Sequence, residues 1–141
     1  MTKFIESPSV KKLCELTKES YLRYWDERNG GNVSVRLEAS EVEAYEDVKE
    51  VKRVLDLGFD ASTLAGYYYL VTGTGRYFRN VTNQPLLDLG LVRISADGQK
   101  AELLWGFEDG GKPTSEFASH LMSHIERLKV NPNHKVVFHC H

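Results

Sequence analysis

The stretch Pro113-Thr114-Ser115-Glu116 through to His139-Cys140-His141 decides how this 141-residue chain is read. A proline followed by two hydroxyl residues and an acid is the usual opening of a helix. Phe117, Leu121, Ile125 and Leu128, with Ala118 and Met122 beside them, recur at the spacing of an amphipathic helix's apolar stripe. Asn131-Pro132-Asn133 then turns the chain. Lys135 to His141 reads as a strand, whose period of two sends His139 and His141 to one face and Phe138 and Cys140 to the other. One helix–turn–strand unit thus offers an anion-friendly helix N-terminus, a carboxylate beside it and two imidazoles able to share a metal. A catalytic zinc usually takes three protein ligands and keeps an open position. This unit supplies two, and the sequence stops there.

Outside that unit the composition is ordinary. Hydrophobic residues make up 41% and charged residues 27%, values of a soluble globular domain, and the length suits one domain over residues 1–141. A net charge of -2 gives no basic footprint and argues against a nucleic-acid partner. Cys14 and Cys140 are too few for a disulfide framework, so a reducing cytoplasm is expected. No apolar run approaches the roughly 20 residues of a membrane span, and Met1 to Pro8 lacks the apolar core of a signal peptide. A membrane partner is not expected.

Upstream, Ser7-Pro8 can cap and start a helix. Val10, Leu13, Cys14, Thr17, Tyr21, Tyr24 and Trp25 follow one another on its apolar side, which makes Cys14 a small core residue. Asn29-Gly30-Gly31-Asn32 is a tight loop whose exposed backbone N–H groups could form an anion nest before the alternating strand Val33 to Leu37. Ser40 to Asp47 can open a short helix, and Val48 to Asp60 mixes signals without resolving. Tyr67 to Thr72 reads as a buried strand, its tyrosines packing in the core because no basic residues interleave with them. Gly73-Thr74-Gly75 follows with a hydroxyl and room for close backbone approach. Asp97-Gly98 between apolar runs at Leu89 to Ile94 and Lys100 to Trp105 signals a hairpin. The order of elements describes an α/β chain: one layered domain with a largely antiparallel central sheet flanked by helices.

Four motifs fall in a telling order. Trp25-Asp26-Glu27-Arg28-Asn29-Gly30-Gly31-Asn32 leading into Val33 to Leu37, then Val71 to Gly75, Pro113 to Glu116 and His139 to His141 together resemble the class II (zinc) aldolase and adducin family. The run Trp25 to Asn32 and Leu104-Trp105-Gly106, with Thr-Ser rather than Ser-Ser before the glutamate, resemble the branch that splits a ketose 1-phosphate into dihydroxyacetone phosphate and lactaldehyde. Other sugar-phosphate aldolases and epimerases of the family are the nearest alternatives. A non-catalytic adducin-like module lacks the metal, and Glu116, His139 and His141 argue against it.

The resemblance implies a set of roles. Asn29, Gly31, Asn32, Thr74, Thr114 and Ser115 match the family's substrate-phosphate site, with Thr74 where serine is usual. His139 and His141 match two zinc ligands, and Glu116 matches the catalytic acid/base. The family's third zinc histidine lies further downstream, so the C-terminal half of the family domain is expected to be missing here. The chain alone is then expected to hold zinc poorly and to be inactive or nearly so. A homo-oligomer, a tetramer in the family, is implied as well. His120 and His124, four apart, are not family ligands and are expected on a helix face or at the core's edge.

Overall fold

The structure is a computed structural model that describes residues 4–23, 31–46 and 48–139. Asn29 and His141 therefore lie outside the described residues, as do Cys140 and the stretch 24–30. Strands β1 (Asn32–Leu37), β2 (Arg53–Asp56), β3 (Tyr68–Thr72), β4 (Leu89–Ile94), β5 (Lys100–Gly106) and β6 (Val136–His139) form one sheet in the order β2-β5-β4-β3-β1-β6. Every pairing is antiparallel. The sheet is the expected one, and β4 and β5 are the expected hairpin.

Alternation along the strands sorts the core into two layers. Tyr68, Leu70, Leu89 and Leu91 face one cluster, which helix α1 (Pro8–Leu22) and the short helix α3 (Phe78–Val81) complete with Val10, Leu13, Phe78 and Val81. Tyr69, Val71, Val92 and Ile94 face the other, closed by Phe117 and Leu121 of helix α5 (Phe117–Val130). The sheet is thus covered by helices on both faces. Helices α2 (Ala39–Tyr45) and α4 (Pro85–Asp88) complete the described α-helices, beside two short 3-10 turns at Phe4–Glu6 and Ser62–Leu64. None of them is long and apolar enough to cross a membrane.

Local chemistry explains the boundaries. Ser7 caps α1 by accepting a hydrogen bond from Val10 N at 3.3 Å, with Pro8 in the first turn. Gly106 turns the end of β5 with φ +89, where an added Cβ would meet Leu89 O at 2.1 Å. That turn drops the Phe107 ring onto Gly90, which has no side chain to obstruct it. Phe107 is buried there, a gain of roughly 1.5–3 kcal/mol over an exposed ring.

Some sequence expectations need correcting. Tyr21 is 44% exposed and Met122 51% exposed, so neither belongs to its helix's buried face. Cys14 is only partly buried against the first cluster. The buried face of α5 is Phe117, His120, Leu121 and His124, rotated toward the histidines relative to the stripe read from sequence. Strand β6 begins at Val136, one residue after the expected Lys135, and is described to His139, the expected Cys140 and His141 lying outside the described residues. The stretch from 48 to 60, where the sequence mixes its signals, contains β2, an edge strand whose alternation is only half buried. The Tyr67 ring does carry a cation, the Arg36 guanidinium 5.5 Å from its centroid, while Tyr68 and Tyr69 are core as expected.

Candidate active site

One end of the sheet gathers the motifs. Asn32 opens β1, Thr72 closes β3 and His139 closes β6; antiparallel pairing sets His139 directly opposite Asn32. Val33 N donates to Thr72 Oγ1 at 3.1 Å, tying the first motif to the second. Thr114 N donates to Thr72 O and Thr74 N to Lys112 O, both at 2.9 Å, and Gly73 bridges Pro113. The loop after β3 therefore lies against the turn before α5. Gly31, buried, sits just ahead of Asn32.

Glu116 holds the N-cap position of α5 without making a capping bond through its side chain. Thr114 Oγ1 accepts from Glu116 N at 3.3 Å instead, so this hydroxyl satisfies a backbone donor of the helix entry. The Glu116 carboxylate is left to reach across the site. Asn32 Nδ2 donates to its Oε2 at 3.0 Å, and His139 Nδ1 faces its Oε1 at 2.7 Å. Burial pushes the Glu116 carboxyl up, but the bonds from His139 and Asn32 outweigh it and hold the group below the usual carboxylate range. Thr74 and Ser115 are exposed and Thr114 is buried. Beside Thr114 and Ser115 opens a cleft of about 460 Å³, to which Lys112, Leu57 and Phe117 also contribute.

Behind Glu116 lies a polar group in the core. Ser34, fully buried on β1, has its Oγ 2.7 Å from His120 Nδ1 and 2.8 Å from His124 Nε2. His120 Nε2 hydrogen-bonds Asn32 Oδ1. His120 and His124 are 3% and 2% exposed, which corrects their expected place at a helix face or core edge. Desolvation pushes each imidazole down to about 4, against a push up on His120 from the charge of Glu116. Sequence reasoning missed this cluster. The i, i+4 histidine spacing was its one visible signal, and the partner serine, 86 positions away, had none.

The Tyr69 ring lies on His124, centroids 4.6 Å apart, and its buried hydroxyl has no hydrogen-bond partner among the described residues. An unpaired buried hydroxyl costs about 1–3 kcal/mol. Tyr69→Phe is therefore expected to raise the unfolding free energy by about 1 kcal/mol in urea titration. A loss of similar size would show that the hydroxyl is bonded.

Taken together, the antiparallel sheet and the Asn32–Glu116–His139 cluster at its end define the class. The family described as Class II Aldolase and Adducin N-terminal domain matches residues 11–141, and the chain belongs to it. Among its relatives, the rhamnulose-1-phosphate aldolase of Listeria innocua is 48% identical over all of this chain and 52% of the relative. That of Yersinia pseudotuberculosis is 41% identical, again over all of this chain and 52% of the relative. A crystal structure of a sugar-phosphate aldolase from Thermotoga maritima superposes with a TM-score of 0.77 at 34% identity, covering 94% of this chain and 52% of that one. The chain spans about half the length of the curated relatives it matches.

Proposed function

We propose that residues 1–141 are the N-terminal part of a class II aldolase domain. Its parent protein cleaves L-rhamnulose 1-phosphate reversibly to dihydroxyacetone phosphate and L-lactaldehyde. The observation that carries this reading is the Glu116 carboxylate held between Asn32 and His139, residues that come from three separate elements. Support for the substrate comes from relatives at 41% to 49% identity that are rhamnulose-1-phosphate aldolases.

Glu116 serves as the acid/base that moves a proton at the substrate's reacting carbon. Asn29, Gly31, Asn32, Thr74, Thr114 and Ser115 hold the phosphate, whose binding energy positions the part that reacts. The loop at Thr74 and the turn at Thr114 and Ser115 are already side by side. His139 and His141 hold the metal. An imidazole facing a carboxylate is the kind of donor set that takes zinc, so the residues present fit such an ion. Among the described residues no group of three metal donors is assembled. Zinc, when bound, supplies Lewis-acid stabilisation of negative charge developing on substrate oxygen. The cytoplasm and a homotetramer complete the reading.

Calorimetric titration of the chain with zinc tests the metal assignment. The expected result is weak binding that His139→Ala reduces by more than about 10-fold, the smallest loss usual even for groups that only support a ligand. Binding that is indifferent to His139→Ala would overturn it.

A further inference from the structure

The hydrogen bonds behind Glu116 have a direction, and it can be worked out from the carboxylate backwards. An ionised carboxylate only accepts, so Asn32 must present its Nδ2–H to Glu116 Oε2. The amide oxygen of Asn32 is then turned to His120, and an amide oxygen also only accepts, so His120 Nε2 must carry a hydrogen. In a neutral imidazole the other nitrogen is then an acceptor, which requires the Ser34 hydroxyl to donate to His120 Nδ1. With its one hydrogen committed, Ser34 Oγ can only accept from His124 Nε2–H. Each of these bonds thus donates toward Glu116.

We propose that His124, Ser34 and His120 are positioning residues that lock Asn32 as a hydrogen-bond donor to Glu116. Chains whose donors all point one way strengthen each bond by polarising the next. The embedding suits the task. Ser34 is fully buried at mid-strand, His120 and His124 share the buried face of α5, and the tilted Tyr69 ring packs on His124. The other charged groups acting on the pair are Glu116 and His139 on His120, and Arg36 on His124. Burial keeps both imidazoles neutral at neutral pH, the state in which one nitrogen must donate and the other accept. The catalytic meaning of the lock rests on the aldolase reading of Glu116, whereas the lock itself can be tested without it.

Imidazole and amide nitrogen NMR of the metal-free chain at neutral pH reads the lock directly. The expected result is that His120 and His124 are both single Nε2–H tautomers and that the Asn32 side-chain amide protons are protected from exchange. Ser34→Ala is expected to mix the His120 tautomers and to speed Asn32 amide exchange at least about 10-fold, while Ser34→Thr, which keeps the hydroxyl, retains the wild-type pattern. A wild-type His120 protonated at Nδ1, or an Asn32 amide unaffected by Ser34→Ala in a folded chain, overturns the proposal. Because neither metal nor substrate is present, these outcomes are independent of whether the parent protein is an aldolase. An intact lock in a protein without aldolase activity would sink only the functional reading.

Discussion

Lowering the pH from about 7 to about 5 is expected to destabilise the chain by about 4 kcal/mol, about 2 from each of two buried histidines. His120 and His124 are pushed from 6.5 down to about 4 by burial among Tyr69, Ser34 and the apolar contacts of α5. Between those two values the unfolded chain binds a proton at each imidazole and the folded chain does not. Protonation therefore favours unfolding, so this stability is fully present above about 6.5 and is lost as the pH falls toward 4. Glu116 acts in the same direction at lower pH, because its carboxyl is held below the usual range and must be protonated against its bonds to His139 and Asn32. Asp88, fully buried and pushed up by desolvation, acts the other way and softens the acid limb. Urea unfolding at the two pH values checks the result. A midpoint that does not move between them would mean that the two imidazoles are not held neutral in the core.

The fold was legible where burial is two-sided or alternation strict. Tyr67 to Thr72, Val33 to Leu37 and the hairpin about Asp97-Gly98 all appear as read, because β-branched and aromatic residues in those patterns have few other ways to bury themselves. Strand β2 and the two shortest helices were not legible. β2 carries exposed Val54 and half-buried Leu55 within a charged stretch, and an edge strand needs only one partner to form. Phe78–Val81 and Pro85–Asp88 are each four residues long, too short to show a helical period.

The site divides in the same way. Glu116, Asn32 and His139 were named from local motifs and do converge, because each sits at the sheet end where its motif begins or closes a strand or helix. The role of His120 and His124 was not legible, since apolar periodicity assigns polar residues outward. Here the pair turns inward because one serine across the sheet gives each ring a buried partner.

On the proposed aldolase reading, in which Glu116 is the acid/base, the largest functional effect belongs to Glu116. Gln keeps the size of the side chain and can still meet Asn32 and His139, but it cannot accept and return a proton. A general acid/base contributes about 100- to 10,000-fold to rate, so Glu116→Gln is expected to cost about 1,000-fold in kcat with the phosphate contacts, and hence KM, little changed. The most direct measurement joins this chain to the remaining half of the Listeria innocua relative. It then follows release of dihydroxyacetone phosphate from L-rhamnulose 1-phosphate, with and without zinc, for the wild type and Glu116→Gln. Zinc-dependent release that collapses in Glu116→Gln is the expected result. No release from a folded, zinc-loaded protein, or release undiminished in the variant, would contradict the aldolase assignment.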